Sequence, residues 1–214
     1  MRLDAALAAL AERTKGFMPE DEAAALRQAA VTAAPGLWLE IGTYCGKSTV
    51  HLGAVAASRG SHLVTLDHHH GSEENQPGWQ WHDQSLVDPL SGRLDTLPSL
   101  RRTLAEAGLE NTVSVLVATT QQVAQWWTTP LTLLFLDGNH TEDVAQHDYA
   151  AFARHLLPGG LLAVHDVFPD HSEGGQAPWQ VVQRALREGT FTQLGGHGSL
   201  RLLRRTAVTA VVQG

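Results

Sequence analysis

The chain has 214 residues, with 22 acidic against 15 basic side chains and a formal charge of −7. That length suits one α/β domain with a sizeable core, and an acidic balance without a basic stripe argues against nucleic acid or an anionic membrane as partner. A lone cysteine, Cys45, excludes an internal disulfide or a thiolate cluster.

Residues 3–14 place Leu3, Ala6, Leu7 and Leu10 at helical spacing, and residues 20–32 do the same with Ala24, Leu26 and Val31. Two helices forming a cap over residues 1–33 are expected. The first residues lack a continuous apolar core with a cleavage site, and no apolar run reaches the ~18 residues of a membrane span, so a cytoplasmic protein is expected. Pro35-Gly36 breaks the chain before an apolar run that starts at Leu37 and ends in Glu40. A glycine turn follows at Gly42 and Gly46, then a helix over 47–58 closed by Arg59-Gly60.

In an open α/β sheet, such a strand, turn and helix form a ligand-binding corner, where backbone N–H groups and a helix N-terminus face the ligand. Glycine at 42 and 46 is expected to let the backbone approach that ligand closely. Only three residues separate Gly42 from Gly46-Lys47, one fewer than a P-loop needs, and Tyr44 stands where a dinucleotide fingerprint requires glycine. Cys45, inside the turn, reads as a small packing residue.

The next strand, 62–66, ends in Asp67, 25 positions after Gly42, where a carboxylate accepts hydrogen bonds from both ribose hydroxyls. Residues 68–98 form an unusually long insertion, expected to be a lid or substrate wall. Trp79 and Trp81 offer flat faces there, with Glu73, Glu74, Asn75, Gln76, His82 and Asp83 as polar neighbours. The equal alternative is that the tryptophans pin the loop to the core or to a second subunit. A homodimer is expected through this insertion and the N-terminal helices. His68, His69 and His70 diverge in an extended segment and are assigned to packing or support.

A helix over 100–107 stops at Gly108, and a strand over 113–117 ends in Ala118-Thr119-Thr120-Gln121. Trp126 and Trp127 are expected to pack the following helix. The nearly all-apolar 131–136 reads as a central strand buried on both faces, ending in Asp137-Gly138-Asn139-His140. Thr141 is expected to cap a helical run to 155. Pro158-Gly159-Gly160 then turns into a strand over 161–164 that ends in His165-Asp166. Neighbouring parallel strands would thus bring Asp137 and His165-Asp166 to one crevice. Pro178 opens a helix to about 187, and strands over 191–194 and 199–203, joined by 195–198, read as a hairpin. The tail after Arg205 is expected to fray.

In order along residues 36–204, Glu40-x-Gly42-x-x-x-Gly46, Asp67, Asp137 and Pro158-Gly159-Gly160 resemble the class I S-adenosylmethionine-dependent methyltransferases. The resemblance implies a Rossmann-like α/β fold: a seven-stranded, mostly parallel sheet with an antiparallel last strand, helices on both faces and extra N-terminal helices. It also implies that the donor lies against Glu40, Gly42, Thr43, Tyr44, Gly46, Ser48, Asp67, Thr120, Gln121 and Asp137.

Leu134-Phe135-Leu136-Asp137-Gly138-Asn139-His140, with His165-Asp166 on the next strand, is similar to the metal-assisted O-methyltransferases of the catechol, caffeoyl-CoA and macrolide-sugar type. That similarity implies a Mg²⁺ held by Asp137 and Asp166, with His140 as general base. His165, a departure from the family pattern, is the third candidate ligand. Carboxylate and water ligation suits Mg²⁺.

The insertion and His165-Asp166-Val167-Phe168-Pro169 resemble an actinobacterial group of methylmannose polysaccharide 1-O-methyltransferases. This resemblance implies the 1-OH of a 3-O-methylated mannoside as acceptor, placed against Glu73, Glu74, Trp79, Trp81 and His140. Alternatives are a phenolic or macrolide-sugar hydroxyl, a metal-dependent hydrolase or hydroxylase built from His68–His70, His140, His165, Asp137 and Asp166, and a non-catalytic module that keeps the cofactor pocket.

Overall fold

The computed structural model describes residues 1–139 and 141–206. Helices α1 (Ala5–Arg13) and α2 (Glu20–Val31) precede β1 (Leu37–Ile41), α3 (Lys47–Arg59) and β2 (His62–Asp67). After the insertion come α4 (Leu97–Ala107), β3 (Val113–Val117), α5 (Thr120–Ala124), β4 (Leu131–Leu136), α6 (Glu142–Phe152) and β5 (Leu156–Val164). The chain closes with α7 (Ala177–Arg187), β6 (Phe191–His197) and β7 (Leu200–Arg205).

The seven strands lie in the order β3-β2-β1-β4-β5-β7-β6. β1 through β5 pair in parallel, and β7 runs antiparallel to both of its neighbours, as expected for this sheet. Between β1 and β4 the strand order reverses, which opens a crevice at their carboxyl ends.

Alternation along the strands builds two cores. Trp38, Leu63, Leu133, Phe135, Leu161 and Ala163 face α2, α3 and α4, while Leu39, Ile41, Leu134, Leu136, Leu162 and Val164 face α5, α6 and α7. Both layers are thus filled by the same strands.

Helix α3 begins after Gly46 and ends on Gly60 in the left-handed region (φ 62°), whose N–H returns to the carbonyls of Ala56 and Ala57. Thr141 occupies the N-cap position of α6, but its side chain accepts no capping bond; its own N–H donates to Asn139 Oδ1 at 2.7 Å instead. Pro158-Gly159-Gly160 lies inside β5 and not ahead of it. The two steps from Leu131 to Leu133 on β4 face five steps, from Leu156 to Leu161, on β5, so the segment bulges out of the ladder. Gly195 and Gly196 likewise fall within β6 beside a register shift, which leaves the hairpin a tighter turn than the spacing suggested. Trp127 packs edge-on against Phe152, whereas Trp126 stays exposed. No helix among the described residues is long and apolar enough to cross a membrane. The expected fraying beyond Arg205 falls mostly on residues 207–214, outside the described residues.

Candidate active site

Glu40 is the last charged residue of β1 before the turn, and it is fully buried. Ser48 Oγ donates to one of its oxygens at 2.7 Å; Thr49 and Thr65 hydroxyls donate to the other at 2.7 and 2.6 Å. Burial pushes its carboxyl up to about 7 against those three hydroxyls. The carboxylate therefore ties β1 to the first turn of α3 and to β2, below the crevice and outside its lining.

The two glycines of the turn also have protein neighbours that leave no room for a side chain. Gly42 has φ +90°, and a Cβ there would stand 2.0 Å from the Asp137 carbonyl oxygen; at Gly46 it would meet Leu100 Cδ1 at 2.7 Å. Both make room for the protein itself, the first letting the tips of β1 and β4 touch.

Asp67 at the tip of β2 organises the same turn. Its Oδ2 accepts the Thr43 and Tyr44 N–H groups at 3.0 and 2.9 Å, and its Oδ1 accepts the His69 N–H at 2.7 Å. Among the described residues, Tyr44 (φ 50°), His69 (φ 63°) and Asp166 (φ 54°) are the non-glycine residues with positive φ. All three sit at strand tips around the crevice, where such strain concentrates in functional sites.

The crevice encloses about 900 Å³. Gly42, Thr43, Tyr44, Ser48, Asp67, Thr120, Gln121, Asp137, Asp166, Glu74 and Trp81 line it; Glu40, Gly46, Glu73, Trp79 and His165 do not. His140 lies outside the described residues. Thr120 and Gln121 belong to the first turn of α5, which a Thr119–Gln122 capping box starts directly after β3.

The insertion is anchored rather than loose. Leu86 and Leu94 pack on Cys45 and Tyr44, and Val87 bridges Leu94. Burial pushes the Cys45 thiol up to about 11, in keeping with a packing role. His69 is buried with Nδ1 on Thr96 Oγ1 at 2.7 Å, His70 Nδ1 lies 2.9 Å from the Leu94 carbonyl, and His68 lines the crevice. The expected divergence does not hold for all three: the His68 and His70 rings lie with centroids 6.1 Å apart, and the His70 backbone N–H donates to His68 Nδ1 at 3.1 Å.

At the mouth, Phe17 meets Tyr44 and Trp81 with ring centroids 5.3 and 5.1 Å apart, and Lys15 pairs with Asp83. Phe17, Met18, Lys47, Phe168 and Asp148 also line the crevice, and none was singled out by spacing. Asp148 is buried on α6, and burial pushes its carboxyl up to about 7. A polar residue on an otherwise apolar helical face was its one sequence signal.

At the β4 and β5 tips, Asp137, His165 and Asp166 each offer a ligand atom, all within 4.8 Å of one another. His165 is 3% exposed, with Nδ1 2.9 Å from Asp137 Oδ1 and 3.5 Å from Asp166 Oδ2. Its Nε2 lies 2.5 Å from Glu22 Oε2 on α2. Burial alone would lower this imidazole, yet Asp137, Asp166 and Glu22 together push it up to about 12.

Residues 39–167 match a family described as a methyltransferase domain. The chain belongs to this methyltransferase family. Its fold also recurs in solved structures. SAH-bound methyltransferase PaMTH1 from Podospora anserina is 15% identical with a TM-score of 0.64, covering 96% of this chain and 89% of that one. The O-methyltransferase from Bacillus cereus in complex with SAH is 17% identical (TM-score 0.60), covering 96% and 93%. TomG, the O-methyltransferase from Streptomyces achromogenes involved in tomaymycin synthesis and solved with SAM, is 20% identical (TM-score 0.57), covering 96% and 92%. Glu22 and the Phe17 contact of this methyltransferase lie ahead of the matched segment.

Proposed function

We propose that the protein is an S-adenosylmethionine-dependent O-methyltransferase that methylates a hydroxyl group with the help of a divalent cation. The observation that carries this reading is the single crevice, with the Thr43-Tyr44-Asp67 turn on one side and Asp137 and Asp166 on the other. Its volume suits a donor and an acceptor together.

Asp67 would take the ribose hydroxyls of the donor, and Thr120 and Gln121 would flank its base. Asp137 and Asp166 would hold a hard divalent cation such as Mg²⁺ through their carboxylate oxygens, and His165, the third candidate ligand, has both nitrogens on carboxylates and would orient Asp137 instead. Bound donor supplies a methyl group already activated by its sulfonium, and bound cation would lower the pKa of an acceptor hydroxyl. The chain's own task is to align that hydroxyl and remove its proton. His140, three positions after Asp137 in sequence, is the proposed base, since imidazole titrates near neutral pH.

For the acceptor we favour a sugar hydroxyl, with the 1-OH of a 3-O-methylated mannoside as the leading case. The exposed faces of Phe17 and Trp81 and the carboxylate of Glu74 at the mouth support a neutral, hydroxyl-rich ligand. The insertion 68–98 would act as the acceptor wall, with Glu73 and Trp79 at its outer edge, and a homodimer is proposed as the working assembly.

Calorimetry with S-adenosylmethionine, with and without Mg²⁺, followed by a screen of mannosides, phenols and macrolide sugars, tests the reading. Donor binding and methylation of a mannoside that chelator abolishes are expected. Methylation indifferent to chelator would remove the cation from the proposal, and absence of donor binding would end it. His140→Ala should abolish turnover while leaving donor affinity within about twofold; lost donor affinity with normal turnover would refute the base.

A further inference from the structure

Glu22 stands 143 positions before His165 in sequence, on a helix outside the segment shared with the family. It is nevertheless buried against the strand tips. One oxygen, Oε1, accepts the Ser199 N–H at 2.6 Å, and the other, Oε2, lies 2.5 Å from His165 Nε2 and 3.0 Å from the Ser199 hydroxyl. A Cβ at Gly198 would fall 2.0 Å from Oε1, so the turn between β6 and β7 closes directly on the carboxylate. Glu22 is therefore clamped by that turn before it touches the histidine.

The consequence is carried by the imidazole. With Nε2 committed to Glu22, Nδ1 faces Asp137 Oδ1 at 2.9 Å and Asp166 Oδ2 at 3.5 Å. Carboxylates at both ring nitrogens fix the orientation of this imidazole, and loss of an outer partner weakens metal affinity about 10–100-fold in known sites. We infer that Glu22 is a positioning residue for the divalent-cation site, holding His165 so that its Nδ1 edge is presented to Asp137 and Asp166. This inference rests on the cation reading above and adds to it a determinant from the N-terminal helices.

The test is Mn²⁺ binding to the full chain with the metal alone, followed by electron paramagnetic resonance, alongside S-adenosylhomocysteine affinity by calorimetry. Glu22→Gln is expected to weaken Mn²⁺ about tenfold or more while S-adenosylhomocysteine affinity stays within about twofold. Ser199→Ala removes a hydroxyl but keeps the backbone clamp and the His165 contact, and should change Mn²⁺ affinity less than about twofold. Should Glu22→Gln fail to fold, Glu22→Asp, which keeps the charge and shortens the reach, carries the same comparison: Mn²⁺ affinity falls relative to S-adenosylhomocysteine affinity. Unchanged Mn²⁺ affinity, or equal losses for both ligands, overturns the positioning role and leaves the cation reading standing. Wild-type protein that binds no Mn²⁺ overturns both.

Discussion

Gly42 and Glu40 show how little freedom the turn after β1 has. Gly42→Ala would set a methyl group against the Asp137 carbonyl at a φ of +90°. Overpacking and left-handed strain together should cost about 3 kcal/mol or more in chemical denaturation; a loss below about 1 kcal/mol would mean that the two tips are not in contact. For Glu40, a folded-state value of about 7 against the ordinary 4.5 means that the folded protein holds the proton more tightly. Stability attached to that proton is present below pH 4.5 and is lost as pH rises through 7. Relative to Glu40→Gln, the wild type should therefore lose about 3 kcal/mol across that window. A flat difference curve from parallel urea titrations would show that the three hydroxyls outweigh burial.

Helices α2 and α3 are joined by a buried polar contact that the apolar pattern of neither helix announces. Arg27 Nη1 lies 2.5 Å from His51 Nδ1, and Glu20 receives Arg27 Nη2 at 2.8 Å. Burial first, and then the Arg27 guanidinium, hold His51 down at about 4, so its ring is neutral and accepts from the arginine. The unfolded chain takes up the His51 proton near pH 6.5 while the folded one resists it, so stability is lost as pH falls from 6.5 towards 4. Compared with His51→Gln, the wild type should lose about 3 kcal/mol over that range. Thermal melts at closely spaced pH values would measure it, and parallel curves for the two proteins would rule it out. The same pairing seats α2, and so places Glu22 over the β5 tip.

At the scale of the whole molecule, the crevice joins five strand tips with the insertion and the N-terminal segment. A ligand seated there should stabilise the entire fold. S-adenosylhomocysteine at a hundredfold excess over its Kd should add about 2.7 kcal/mol, a rise in Tm of roughly 5–10 °C for a chain of this size. No shift by calorimetry would mean that S-adenosylhomocysteine does not bind the folded protein. Asp67→Asn leaves one acceptor oxygen where the turn now uses two, and should shrink that shift by more than half.

Strand and helix periodicity, the Pro35-Gly36 break, the αL glycine after α3 and the apolar 131–136 run determined the order of elements, because each depends on neighbours a few residues away. The same local signals placed Asp67, Asp137 and Asp166 at strand tips, and parallel topology then brings such tips together. They could not tell that Gly42 serves the Asp137 backbone, that Glu40 faces three hydroxyls below the crevice, or that Pro158-Gly159-Gly160 bulges within β5. Nor could they find Phe17 over Trp81 or Glu22 behind His165. Those depend on which surfaces meet across the sheet, and a contact spanning 143 positions leaves no periodic trace in either segment that makes it.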